Sequence, residues 1–178
     1  MQSSGGSVFG FTFRLGLRLD LRQQRFPEAF TALDAGLAIG QKLAGTHPKS
    51  TQHTNLLGYS HAYRGCALVR SGQPSRAAAD LRRALELWAQ ESNPDPETGA
   101  ERSRALALLA GLGGQAKSGV TTAEAAAFAD QAVAALRDAI NAGWNEFDEL
   151  KEPDFNPLRG RDDFKKLTAE LAERAEKK

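Results

Sequence analysis

The sequence predicts an all-α fold: a right-handed solenoid of three helix pairs, then an irregular segment and a C-terminal capping helix. Alanine and leucine, which favour helix, are frequent, and β-branched residues are few outside the loops. A pattern of alanine, aliphatic, small and aliphatic residues also recurs three times along the 178 residues. One such unit cannot bury its own apolar face, so the copies must stack on one another. The copies are Ala29-Leu33-Gly36-Leu37, Ala77-Leu81-Ala84-Leu85 and Ala132-Leu136-Ala139-Ile140.

Turn residues divide the chain into its elements. Pro27 suits the first turn of a helix, which predicts one helix before it and another after it. The preceding stretch is ambiguous, because its apolar residues from Phe9 to Leu21 alternate as in a half-buried strand. We predict helix over 12–24, while residues 8–14 stay open between helix and strand. The further helices are predicted at 27–44, 51–71, 74–91, 97–114, 121–142 and 161–176.

Local signals also shape the C-terminal third. Thr121 lies three residues before Glu124, which is the spacing of a capping box at a helix start. Pro153 and Pro157 forbid a continuous helix within the aromatic-containing segment 144–160. Its acidic side chains from Glu146 to Asp154 are expected to lie on a solvated turn. The predicted organisation is one continuous domain with a disordered or expression-derived N-terminus (1–8), three helix pairs (9–143), and a linker with its capping helix (144–178).

Charge and cysteine content exclude several classes of protein. The net charge is +1, but residues 1–90 carry +6 and residues 91–178 carry −5. Cys66 is the only cysteine, which excludes a disulfide within the chain. No apolar run approaches the roughly 20 residues that cross a bilayer, so we expect a cytoplasmic protein that binds no membrane. Aromatic residues are not interleaved with a basic segment, which disfavours nucleic-acid binding.

Residues Leu57 to Gln90 resemble a tetratricopeptide repeat, because Gly65, Gly72, Ala77, Leu81, Ala84 and Leu85 fall at that family's spacing. Gly65 would permit close helix approach, and residues 12–43 and 100–142 resemble two further copies. The segment from Glu152 to Leu167 is similar to one that closes many bacterial tetratricopeptide proteins, including Ser/Thr kinases whose repeats follow the kinase domain. The resemblance implies an interaction module. It does not imply kinase chemistry, because the chain lacks a Gly-rich nucleotide loop and a His-Arg-Asp segment.

In this family the first helix of each pair lines a concave surface. Arg14, Arg18 and Arg22 are spaced by four residues, so they form one stripe if their segment is helical. Arginine suits carboxylates and tyrosine adds rigid contact area, which predicts a groove for an acidic or C-terminal peptide. By alignment with the middle repeat, the groove residues are Arg14, Arg18, Arg22, Tyr59, Tyr63, Cys66 and Arg70.

The expected function is therefore protein–protein interaction without catalysis, cofactor or metal. The three histidines are too irregularly spaced for a helical metal pair. An alternative for the arginine stripe is a solvated face paired with Asp20, Glu28 and Asp34. Two further alternatives stay open: a regulatory or scaffolding tail of a bacterial kinase, and a homodimer formed through the apolar residues 9–24.

Overall fold

The computed structural model describes residues 25–91 and 94–176, with side chains as far as residue 173, and this part of the chain is all-α. The predicted helix over 12–24 lies outside the described residues. The described residues form six α-helices: α1 (Phe26–Thr46), α2 (Thr51–Arg70), α3 (Pro74–Trp88), α4 (Pro96–Gly111), α5 (Thr122–Asn141) and α6 (Asp162–Glu176). Two 3-10 helices, η1 (Phe147–Lys151) and η2 (Pro153–Leu158), separate α5 from α6. The predicted all-α class is confirmed, and the helix bounds match the sequence prediction to within three residues.

The helix ends follow from the capping and turn residues. Thr121 Oγ1 accepts a hydrogen bond from the backbone N–H of Glu124 at 3.2 Å, and the Glu124 carboxylate accepts one from the N–H of Thr121 at 2.8 Å. This reciprocal pair is the predicted capping box. Gly143 takes a left-handed φ of 111° directly after α5, a conformation that costs glycine little. Beyond it, the predicted break in helix is confirmed by the short 3-10 helices, which contain both prolines.

Alanine and glycine let neighbouring helices approach closely. Most positions of the recurring pattern are buried, and the remaining two, Gly36 and Leu85, are half-buried. A Cβ placed on Gly65 of α2 would lie 2.7 Å from Leu81 Cγ of α3, which is below van der Waals contact. The expected role of Gly65 in close helix approach is therefore confirmed. Gly58 of α2 likewise lets the indole of Trp88 in α3 approach the α2 backbone closely.

The buried apolar side chains form two main groups along the helix order. The first lies among α1 to α4 and includes the fully buried Leu81 and Trp88. The second lies among α4, α5, η2 and α6 and contains Leu136 and Phe155. Residues 147–158, which contain η1 and η2 and are termed the 3-10 segment, are thus anchored on α4 and α5 through aromatic and leucine side chains. None of the described helices combines the length and apolar character needed to cross a membrane.

Candidate interaction surface

The four described groove residues lie on one face of α2, and that face packs against α4 and η2. Tyr59 and Thr98 of α4 form a hydrogen bond between their hydroxyl oxygens at 2.7 Å. One turn further along α2, Tyr63 Oη donates to Glu101 Oε1 at 2.9 Å. Both tyrosines therefore join α2 to α4 through their polar ends.

The C-terminal end of the same face contacts η2. Arg70 Nη2 donates to Asp154 Oδ1 at 2.7 Å, and Cys66 Sγ lies 3.5 Å from the same oxygen. Burial raises the pKa of the Cys66 thiol, and the neighbouring Asp154 carboxylate raises it further. These two effects outweigh the lowering by Arg70 and Arg104, so the pKa of the thiol lies above its ordinary value, whereas a nucleophilic cysteine needs a lowered one.

Arg104 of α4 lies behind this face and is 5% exposed. It donates to Glu149 of η1, lies 3.4 Å from Glu101, and has its guanidinium carbon 5.8 Å from the centre of the Phe155 ring. Burial alone would lower the pKa of Arg104, but the surrounding carboxylates hold it well above its ordinary value. The side chains that meet here are termed the tail network: Tyr63, Cys66, Arg70, Glu101, Arg104, Glu149, Glu152 and Asp154.

Burial divides the predicted groove residues into two kinds. Tyr63 and Cys66 are 2% and 3% exposed, so their side chains are interior contacts in this structure. Tyr59 and Arg70 are half-buried and retain some surface. The arginine stripe lies outside the described residues. The structure thus places the four residues on one face of α2, while their contact with a partner stays a prediction.

The sequence prediction of a solvated turn is wrong for two side chains of the acidic segment after α5. Glu149 and Asp154 were expected on a solvated turn, but they are 8% and 4% exposed and paired with arginine. Each carboxylate is followed directly by a buried apolar residue, Leu150 or Phe155. A second signal was available in α4, where Arg104 immediately precedes an apolar run. An arginine that directly precedes a buried apolar run is itself expected to be buried, and a buried arginine requires a carboxylate partner.

A second polar group, the Asp80 cluster, joins α1, α2 and α3 and comprises Asp34, His61, Arg64 and Asp80. Arg64 Nε donates to Asp80 Oδ2 at 2.7 Å, and His61 Nδ1 lies 2.9 Å from Asp80 Oδ1. Burial would raise the pKa of Asp80, but hydrogen bonds from His61 and Arg64 hold it below its ordinary value. Ser60 donates instead to the carbonyl of Leu56, so it forms no nucleophile–base pair with His61.

Within residues 25–91 and 94–173, no three His, Cys, Asp or Glu side chains are grouped as ligands for a metal ion. Apart from Ser60, the polar side chains described above form contacts between different helices. Comparison of the chain with protein-family models, curated proteins and solved structures found no match. The resemblance to tetratricopeptide repeats therefore rests on the sequence spacing given above.

Proposed function

We propose that the chain is a non-catalytic protein-interaction module, built as a right-handed tetratricopeptide-like solenoid. The observation that carries the proposal is the pairing of α2 with α3 and of α4 with α5, with α2 and α4 in direct contact. α2 and α4 are the first helices of their pairs. The part of their common side that η1 and η2 leave uncovered would form the concave surface, and residues 12–24 would add one more first helix to it.

The use of the reactive side chains supports binding over catalysis. His61 and Cys66 are both buried, at 9% and 3% exposed, with His61 against Asp80 and Cys66 against Asp154. A catalytic nucleophile or base must instead reach a substrate, and a nucleophilic thiol needs a lowered pKa. In this chain the same groups hold helices together, which favours a fixed scaffold for a partner.

The tail network suggests how such a scaffold would bind. It joins α2, α4 and the 3-10 segment through buried ion pairs, so the described part of the proposed surface is already ordered before a partner arrives. A preordered surface lowers the entropic cost of association, because few side chains must become immobilised. An acidic partner segment would then dock on the arginine stripe, with Tyr59 and Arg70 beside it.

The arginine stripe provides the test. We expect isothermal titration with acidic peptides to give weaker binding for an Arg14→Ala/Arg18→Ala/Arg22→Ala variant than for the unmodified chain. A charge-matched control is Arg76→Ala/Arg83→Ala/Arg137→Ala, since these three arginines are exposed and lie outside the proposed surface. Equal affinities for all three proteins would show that the arginine stripe does not contribute to binding of the acidic peptides. Equal weakening in both variants would indicate general charge attraction, without a defined groove.

A further inference from the structure

A cavity lies between η1 and α6 and shares no residue with the face of α2 described above. Its volume is about 480 Å³. That volume falls within the range of about 300–1,000 Å³ that is usual for ligand sites. The floor is mostly apolar and is formed by Phe147, Leu150, Phe164 and Leu171. Such a floor suits a bulky apolar side chain.

Arg159 lies at the edge of this cavity in a fixed orientation. Its Nε donates to Asn156 Oδ1 at 2.8 Å, and its Nη2 donates to the carbonyl oxygens of Leu150 and Glu152 at 3.1 and 3.2 Å. Nη1 makes no hydrogen bond to a described residue, and no described carboxylate forms an ion pair with this guanidinium. Arg159 therefore presents an ordered donor and a full positive charge to a ligand.

Two lysines extend the positive edge. Lys151 pairs with Asp148 at 2.7 Å, and Lys165 pairs with Asp162 at 3.2 Å. The two aspartates are 93% and 99% exposed, so these pairs are weak and can exchange for another carboxylate. With Asp148 and Asp162 counted against the two lysines, Arg159 is left as the cation of the edge that no described carboxylate pairs with. The edge is consequently positive above an apolar floor.

We propose that this cavity binds an acidic segment of a partner protein, with one bulky apolar side chain on the floor and carboxylates on Arg159 and Lys165. The charge of the edge selects the acidic residues, and the floor selects the apolar one. The site shares no residue with the arginine stripe, so substitutions can test the two surfaces separately.

The experiment is an NMR titration of the full ¹⁵N-labelled chain with the blocked peptide Asp-Glu-Phe-Leu-Glu-Asp. We expect amide shifts concentrated at residues 147–151, 159 and 164–172. A peptide with lysine at the four acidic positions, and another with serine at the two apolar positions, should each bind at least about tenfold more weakly. Shifts spread evenly over the protein, or equal binding of the lysine peptide, would overturn the proposal.

Matched variants localise the effect to the cavity edge. Lys165→Glu should weaken the acidic peptide about fivefold, because it replaces an attractive charge with a repulsive one. Lys166→Glu is the control, since this exposed neighbour does not line the cavity. Equal weakening in both variants would overturn the proposal. The Arg14→Ala/Arg18→Ala/Arg22→Ala variant should retain the cavity shifts, so failure of the concave surface and failure of this site are distinguishable.

Discussion

The Asp80 cluster and the tail network both pair an arginine with a carboxylate, but the two arginines differ in how far they are exposed to solvent. The Arg64 side chain is 25% exposed, and its second partner, Asp34, is largely in solvent. The Arg104 side chain is 7% exposed and is surrounded by carboxylates from α4, η1 and η2. The first group joins adjacent helices at their edge, whereas the second holds an irregular segment against the helices.

This difference predicts how each group responds to the loss of a charge. A buried charge whose partner is removed cannot recruit water, so it incurs most of its desolvation penalty. A charge at the edge can become hydrated and loses only the strength of its hydrogen bonds. The tail network should therefore be much less tolerant of substitution than the Asp80 cluster, although both contain the same chemical groups.

The largest effect is expected for Asp154→Ala. This change removes the acceptor of Arg70 and Cys66 and one of the carboxylates beside Arg104. We expect the free energy of unfolding to fall by about 3–5 kcal/mol, the range found when one partner of a buried ion pair is removed. Urea denaturation followed by circular dichroism measures it.

Asp148→Ala is the matched control, since this aspartate lies in the same 3-10 segment but its side chain is 93% exposed. Its urea midpoint should stay within error of the unmodified chain. Similar losses for Asp154→Ala and Asp148→Ala would contradict the assignment of the tail network as a buried anchor.

A smaller loss is expected for Asp80→Ala. The change removes hydrogen bonds from Arg64 and His61, but Arg64 keeps access to water and to Asp34. Hydrogen bonds to charged groups contribute about 1.5–3 kcal/mol each in mutational series. Because Arg64 becomes partly hydrated in the variant, we expect the free energy of unfolding to fall by about 1.5–3 kcal/mol in total. Asp34→Ala should cost much less, because its carboxylate is 64% exposed. A loss for Asp80→Ala above that for Asp154→Ala would reverse the proposed order.

Asp80 also predicts a dependence of stability on pH. Its pKa is lower in the folded chain than its ordinary value, so the stabilisation is present above that ordinary value and is lost as the pH falls through the folded pKa. Unfolding free energies measured between about pH 5 and pH 2 should fall for the unmodified chain. The fall should be shallower for Asp80→Asn. It should not vanish, because Glu124 and Asp163 have lowered pKa values as well. An identical slope in the two proteins would contradict the role given to Asp80.

The features that the sequence predicted well depend on residues close together in the chain. Thr121 and Glu124 are three positions apart, and Pro27 acts within one turn, so spacing alone identifies these helix starts. The tail network depends instead on residues far apart, since Cys66 and Asp154 are separated by 88 positions. Periodicity places Tyr59, Tyr63, Cys66 and Arg70 on one face of a helix. It carries no information about which later segment will cover that face.

The smallest effect is expected for the exposed pair of Arg83 and Glu86. This pair has the same chemical groups as the Asp80 cluster and the tail network, but it is not buried. Arg83 Nη1 lies 2.9 Å from Glu86 Oε2, and the side chains are 51% and 63% exposed. A double-mutant cycle with Arg83→Gln and Glu86→Gln should give a coupling energy below about 0.5 kcal/mol, because exposed pairs are screened and lose rotamer entropy when they form. The same cycle on Arg70 and Asp154 should give a several-fold larger coupling, although their N–O distance of 2.7 Å is nearly the same. Equal couplings in the two cycles would mean that distance sets the strength of these pairs. A large difference would mean that burial sets it, which is the physical basis for treating the tail network as the anchor of the 3-10 segment.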